Sequence, residues 1–593
     1  MPKAFCFVVC VLLCLAPIAP AAELPLVTDG KAAATIVLPK NASAAERRAA
    51  DELRTHVAQM SGVELPLVAD DQPLPLHAIL LGGGNAHLSA VGVKLDAAAL
   101  GQEGFVLRSV GDGAHLVVAG TGRRGTLYAA TTLLEKLGVR WFTPVITRVP
   151  RRSTVTVSAI DETQVPAFEY REPFIKEAQG KDWAARLRTN GQQADLDEST
   201  GGKLTYGAFC HTLDALVPPA LFTSHPEYFP LIKGKRTNGY VQRCLSNPDV
   251  LKMSIETVRQ WMRASPSATI FSVSQNDTIN PCECDACRAI EQKYGGQHSA
   301  LYIWFCNQVG EAIEKEFPDK LIDTLAYQFT EEPPTGIRPR KNVRVRLCPI
   351  SCCEAHPYET CASKSSVAFM ERLAGWSKVT DELYVWHYNI QFHHYLVPFP
   401  DFRQFPDSIR LYRRSGVKGI MFQGSYSSAG GSDAEMRAYV MAHLLWNPEV
   451  DADALVTEWM RGVYGDAAAT PMRQWFDLVH QAAASTDKHL YVHTHLNAEP
   501  GLPLQYFTPE LIADGIRLHD AAERLATGDA VALKQIAKSR LWVRYVQIVK
   551  NKMTGPELDQ FVSDMAAAGI THTGEPWDLK QWQQEFRAKN QAK

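Results

Sequence analysis

The apolar positions of this chain fall into three successive rhythms. From Glu23 to about Ile160, short β-branched and leucine-rich runs alternate with segments whose apolar residues recur every three or four positions. The runs are ATIVLP, AILLGGG, GFVLRSV and HLVVAGT; the periodic segments are AAERRAADELRTHVAQMSG and GTLYAATTLLEKLG. Short apolar runs predict strands, the 3.6-residue period predicts helices, and each periodic segment closes on a glycine, a residue suited to ending a helix. Residues 23–160 therefore read as a small α/β domain. The stretch RVPRRSTVTVSAIDETQVP that completes it reads as a last strand and a linker.

From Phe168 a second rhythm begins, in which an apolar run ends in polar or aromatic residues and a helical segment follows. The runs are FEYREPF, KLTYGAFCH, YVQRCLSN, TIFSVSQND, LIDTLAYQF, VRVRLCPIS, LYVWHYN and GIMFQGSY. Eight such units over ~260 residues predict a (β/α)8 TIM-type barrel across residues 165–447, whose site would lie at the carboxyl ends of the strands. After Asn447 the third rhythm is helical throughout, with ADALVTEWMRGVYG, TPMRQWFDLVHQAAA and PELIADGIRLHDAAERLA. Residues 448–593 read as an α-helical domain with no further strands. The expected architecture is α/β: a central barrel, a small α/β domain before it and helices after it.

The first 22 residues change the cellular setting. Lys3, the apolar FCFVVCVLLCLA and the small-residue stretch to Ala22 fit a secretory leader, and the apolar core is too short to span a bilayer. A secreted or periplasmic protein without a membrane span is expected. At 593 residues the chain is too long for one core. Its 61 basic residues nearly cancel 64 acidic ones, for a net charge of -3, so no electrostatic footprint for nucleic acid or an anionic membrane is present. The expected partner is a neutral or modestly charged small molecule; oligomeric state is left open.

Several motifs carry a resemblance. AGTGRRGTLYAATTLLEKLGVRWFTP resembles the α/β domain that precedes the barrel in β-N-acetylhexosaminidases and α-glucuronidases. GAFCHTLDALVP, HPEYFPLIKGKR, CLSNPDV, FSVSQNDTINPCECDAC, DTLAYQFTEEPP, VRLCPISCC and WHYNIQFHHYLVPFPDF resemble an exported bacterial family named as a domain of unknown function, DUF4838. The resemblance covers nearly all of the chain after the leader and implies a glycosidase-like barrel. Where that family carries Asp and Glu in the WHY and MFQG stretches, this chain has His387 and Phe422, which puts a second carboxylate on those strands in question.

Glycosidic cleavage needs an acid for the leaving oxygen and a base or nucleophile about 5 to 9.5 Å away. Asp277, at the end of the fourth run, is the candidate acid. Asn276 beside it would hydrogen-bond an acetamide, as the acid's neighbour does in substrate-assisted hexosaminidases, and Glu331 of TEEPP is a candidate base. The alternative is that Asn276-Asp277 only opens a loop through an Asx-turn, and that Glu331-Glu332 is surface composition. A sugar also needs an aromatic platform and directional donors. Arg171, His211, Gln242, Asn247, Tyr327, Gln328, Trp386, His387, Tyr388 and Gln423 all fall at or just beyond run ends. Arg171 and His211 would suit a uronate carboxylate.

The cysteines Cys282, Cys284 and Cys287 stand at C-x-C-x-x-C spacing, and Cys348, Cys352, Cys353 and Cys361 follow the sixth run. In an exported chain, disulfides between these two loops are expected, with no metal and no cofactor. Tetrahedral zinc, with Cys352 or Cys353 as fourth ligand, is the competing reading. The functional expectation is an exo-acting glycoside hydrolase for N-acetylhexosamine- or uronate-containing glycans, binding an oligosaccharide. The alternatives are a non-catalytic carbohydrate-binding barrel and a zinc-dependent hydrolase using the cysteine cluster.

Overall fold

The computed structural model describes residues 23–485, 489–493 and 504–591, so the expected leader lies outside the described residues. The chain divides into two compact units. One comprises the described residues to Leu137 with Pro150–Gln164; the other comprises Gly138–Val149 and Val165 onward.

In the first unit a six-stranded mixed sheet is ordered Asp161–Gln164, Phe105–Val110, His115–Gly120, Ala78–Leu81, Thr35–Leu38, Leu67–Ala69. Its central runs are parallel, and Ala78–Leu81 is buried at every position because helices cover the sheet. Helix Ala44–Ser61 opens on a capping box: the Ser43 hydroxyl accepts from the Glu46 amide at 3.2 Å, and the Glu46 carboxylate accepts from the Ser43 amide at 2.8 Å. Helix Gly125–Lys136 lies close enough to the backbone that a Cβ at Gly125 would meet the Gly104 carbonyl oxygen at 2.4 Å.

The second unit is built on a seven-stranded sheet whose neighbours all pair in parallel. Its order is Tyr170–Phe174, Gly419–Gln423, Leu383–Tyr388, Val343–Leu347, Leu321–Ala326, Ile270–Ser272, Tyr206–Ala208. The closed eight-stranded barrel expected from the sequence is therefore corrected to an open, curled sheet. Among the described residues YVQRCLSN forms no strand, and Tyr206–Ala208 pairs directly with the next strand, Tyr206 opposite Ile270. YVQRCLSN lies instead in a loop, where the Cys244 amide donates to the Tyr228 carbonyl and the Gln242 and Arg243 side chains donate to the carbonyls of Asn276 and Val217. The two edge strands bring Tyr170 and Tyr206 ring to ring at 6.0 Å, so the sheet curls until its edges nearly meet.

Side-chain alternation along these strands separates an inner from an outer face. The Arg346 guanidinium lies 5.9 Å from the Tyr170 ring, 4.8 Å from Tyr206 and 5.9 Å from Trp386, which places residues of four strands on the inner face. Helices Ala452–Tyr464, Asp466–Ala484, Pro509–Leu525, Ala530–Asn551, Pro556–Ala567 and Leu579–Gln591 follow within the same compact unit. The expectation of no further strands is also corrected. Strands His572–Gly574 and Trp577–Asp578 form a hairpin docked on the loop after Leu383–Tyr388, through Tyr395 N to Thr573 O at 2.7 Å and Glu575 N to Phe392 O at 2.6 Å.

Candidate active site

A cavity of ≈ 420 Å³ opens at the carboxyl ends of the sheet strands. Its walls are aromatic: Phe174, Phe209, Tyr327, Trp386, Tyr388, Phe392 and Tyr426. Phe174 and Tyr426 stack at 4.3 Å with an interplanar angle of 15°, and Trp386 and Tyr388 stack at 6.2 Å. Such rings offer the flat apolar faces on which a pyranose packs.

Among the described residues two carboxylates line this cavity, Asp277 and Glu575. Glu575 comes from the hairpin turn that the sequence pattern did not show. Tyr426 donates its hydroxyl to Glu575 Oε1 at 2.7 Å, and Gln423 Nε2 donates to the same oxygen at 3.3 Å. Trp386 Nε1 in turn donates to Gln423 Oε1 at 2.8 Å, which fixes which way the amide faces. Burial pushes the Glu575 carboxyl up, the Tyr426 hydrogen bond pulls it back, and the negative charge of Asp277 pushes it up again. The charge of Asp277 therefore reaches Glu575 across the cavity.

Asp277, expected from the sequence to be the acid, is exposed, and the burial that raises a carboxyl belongs to Glu575. Gln328 Nε2 lies 3.5 Å from Asp277 Oδ1, and burial first and the Asp277 charge second raise the Tyr327 phenol. The loop beneath Asp277 is held from both sides by Gln242, whose Nε2 donates to Asn276 O at 2.8 Å and Thr278 O at 2.6 Å, while its Oε1 accepts from Asn276 N at 3.0 Å.

His211 lines the cavity with a left-handed backbone, φ 58, in which its ring Nδ1 meets Gln275 O at 2.8 Å. Left-handed backbone at a non-glycine residue is rare and recurs at functional sites. His493, at the end of the described segment 489–493, lines the same cavity.

Of the residues singled out from the sequence, Asp277, His211, Tyr327, Trp386, Tyr388 and Gln423 meet at the cavity. Others are placed elsewhere. Arg171 is on the outer face, buried, donating to Arg188 O at 2.9 Å and Phe168 O at 2.7 Å with Trp446 stacked on it. His387 is also on the outer face, its Nε2 3.1 Å from Glu354 and its Nδ1 2.7 Å from the Tyr412 hydroxyl. Phe422 packs against the His387 ring at 4.7 Å, so neither of those two strand positions would bring a carboxylate to the cavity.

Asn247 caps helix Pro248–Ala264, accepting from Asp249 N at 2.8 Å. Asn276 is buried, its amide donating to Val241 O at 2.8 Å and to Asp214, which leaves it unavailable to an acetamide. Glu331 pairs with Arg372, while Trp376 donates to its carbonyl at 2.8 Å; it is tied to the neighbouring helix and not to the cavity. Burial raises its carboxyl and Arg372 opposes this.

The expected disulfides are corrected as well. Every described cysteine is free, and the sulfurs sort into groups that the two-loop pairing did not foresee. Cys282, Cys284 and Cys287 gather around Cys244, while Cys353 and Cys361 gather with His356 and His489. Cys348 lines the cavity, and the Cys352 thiol faces Ser365 O at 3.7 Å.

A curled parallel sheet with a carboxylate-bearing aromatic cavity at the strand ends defines a glycoside-hydrolase-like fold. The chain belongs to the family described as a domain of unknown function, DUF4838, whose model matches residues 141–477, and residues 22–133 match the glycosyl hydrolase family 67 N-terminus. Among solved structures, a family GH115 4-O-methyl-α-glucuronidase with specificity for decorated arabinogalactans is similar, with a TM-score of 0.56, 14% identity, and 94% of this chain and 76% of that chain covered. A Streptomyces plicatus N-acetyl-β-hexosaminidase is similar with a TM-score of 0.39 and 13% identity over 79% of this chain and 93% of that one. Among curated proteins none matches the chain in sequence.

Proposed function

We propose that the protein is an exo-acting glycoside hydrolase in which Glu575 is the general acid and Asp277 the base or nucleophile. One observation carries this reading: two carboxylates line a single aromatic cavity, and burial together with the charge of the other holds one of them protonated to higher pH. That asymmetry is what divides acid from base between paired carboxyls. Glu575 would give its proton to the glycosidic oxygen. Asp277, exposed and with the Gln328 amide beside it, would activate water or attack the anomeric carbon.

The sugar chemistry follows from the lining. Among the described residues that line the cavity the side-chain nitrogen donors are Gln193, His211, Trp386, Gln423 and His493, and the arginine expected to bind a uronate sits on the outer face. A terminal neutral hexose or N-acetylhexosamine is therefore favoured over a uronate. The GH115 neighbour's name points to a uronate, and the choice rests on the residues of this chain. The carboxylate pair also favours hydrolysis over mere sugar binding.

Glu575→Gln keeps shape and removes the proton. It should lower kcat on an unactivated oligosaccharide by about two to four orders of magnitude and cost far less on an aryl glycoside whose leaving group needs no proton. Asp277→Asn should damage both reactions. Parent rates for Glu575→Gln on the oligosaccharide would sink the assignment.

A further inference from the structure

Among the described residues two clusters of metal-binding side chains lie outside the cavity and take no part in the chemistry above. In the first, the ligand atoms of Cys244, Cys282, Cys284 and Cys287 all lie within 4.8 Å of one another. Cys244 Sγ is 3.6 Å from Cys284 Sγ and 3.9 Å from Cys287 Sγ. A disulfide would bring two sulfurs to about 2.05 Å. The edge of a tetrahedron around zinc, with Zn–S near 2.3 Å, is about 3.8 Å. These sulfurs therefore stand at the spacing of ligands around a shared cation.

The surroundings suit thiolates. Leu231 N donates to Cys282 Sγ at 3.3 Å, and Arg236 Nη1 lies 3.8 Å from the same sulfur. Cys284 precedes helix Asp285–Lys293 and Cys287 sits in its first turn, where the helix dipole favours negative charge.

The second cluster is independent of the first and of different composition. The ligand atoms of Cys353, His356, Cys361 and His489 also lie within 4.8 Å of one another, with Cys353 Sγ 3.3 Å from His356 Nδ1 and Cys361 Sγ 3.7 Å from His489 Nδ1.

We propose that the protein carries two structural zinc ions, one held by Cys244, Cys282, Cys284 and Cys287 and the other by Cys353, His356, Cys361 and His489, each pinning a wall of the cavity. Both sets supply four protein ligands, so neither leaves the open position a hydrolytic zinc needs, and none of the eight residues lines the cavity. The first ion ties the loop carrying Asp277 to the segment carrying its brace Gln242. The second ties the loop after Val343–Leu347 to the segment that brings His493 to the cavity, a junction reinforced by Glu354 N to Leu490 O at 2.7 Å and Phe392 N to Val492 O at 3.1 Å.

Elemental analysis of the full chain grown with zinc should find about two zinc ions per chain. Cys284→Ser and His356→Ala should each remove one, and a thiol-blocking mercurial should release the metal more readily from the first site. Cobalt exchanged into the intact chain should give the intense charge-transfer absorption of thiolate ligands, which decides the matter even where a variant fails to fold. Metal-free protein with these cysteines disulfide-linked in unreduced peptide maps would overturn the proposal, as would iron bound in place of zinc or a zinc count unchanged by both variants.

Discussion

At the scale of single residues, function in this chain is divided by the alternation of side chains along each strand. Trp386 and Tyr388 point to the cavity while His387 between them is sealed against Glu354 and Tyr412 on the other face. The same parity places Arg171 outside, although its neighbour Tyr170 is inside. A residue's presence at a strand end is thus half of what decides its role. The proton on Glu575 is set by a few neighbours, and Tyr426 is the one that can be removed without touching the carboxyl. Its hydroxyl stabilises the ionised form, so Tyr426→Phe raises the Glu575 carboxyl further. The alkaline limb of kcat/KM should accordingly move to higher pH, which a pH–rate profile of parent and variant would check. A limb that moves to lower pH, or does not move, would assign it to another group.

At the scale of elements, the hairpin His572–Gly574 and Trp577–Asp578 is what delivers the second carboxylate. It docks so closely that a Cβ at Gly574 would stand 2.7 Å from the His393 carbonyl oxygen and 2.9 Å from that of Phe392. Those carbonyls are backbone and cannot swing aside, so Gly574→Ala should push the turn off its seat and move Glu575 by a fraction of an ångström or more. Misplacement of this order costs on the order of 10²-fold in rate. The expected result is a kcat loss of roughly that size on an oligosaccharide, with a melting temperature lowered by only a few degrees. A variant with parent kcat would show that the hairpin seat does not position the acid. The brace around Asp277 works similarly, since Gln242 holds the backbone on either side of that residue while contributing nothing to the cavity itself.

At the scale of the whole molecule, the inner face of the curled sheet carries ionisable groups beneath the cavity whose burial couples folding to pH. Asp323 is buried with Arg346 Nη2 at 3.3 Å and accepts from Ser272 Oγ at 2.9 Å. Burial lifts its carboxyl from 3.8 to about 7, opposed by the Ser272 hydrogen bond and the Arg344 charge. Because the folded-state value is raised, the folded state holds the proton more tightly than the unfolded chain. The stability this contributes is fully present below the unfolded value and is lost as pH rises through about 7. Asp323→Asn keeps the shape and remains neutral at every pH. The fall in urea midpoint between about pH 5 and about pH 8 should therefore be smaller in the variant than in the parent, and an equal fall in both would remove Asp323 as its source.

The order of elements was written in the sequence because apolar periodicity is a local property: the α/β first unit, seven of the eight strand runs and the helices after Asn447 are all visible in it. So was Asp277, since a polar residue closing an apolar run belongs at a strand end. Three things required the tertiary structure. The sheet stays open because YVQRCLSN spends its polar and sulfur side chains on loop contacts, a choice that local hydrophobicity does not reveal. Glu575 reaches the cavity from a short hairpin about three hundred residues beyond Asp277 in the sequence. Its two- and three-residue strands are too brief to show any period. The fourth sulfur of the first cluster is Cys244 and not a residue near Cys352, because ligand sets are fixed by where loops converge in space. Spacing along the chain could announce only the C-x-C-x-x-C half of that site; the other half is a neighbour made by folding.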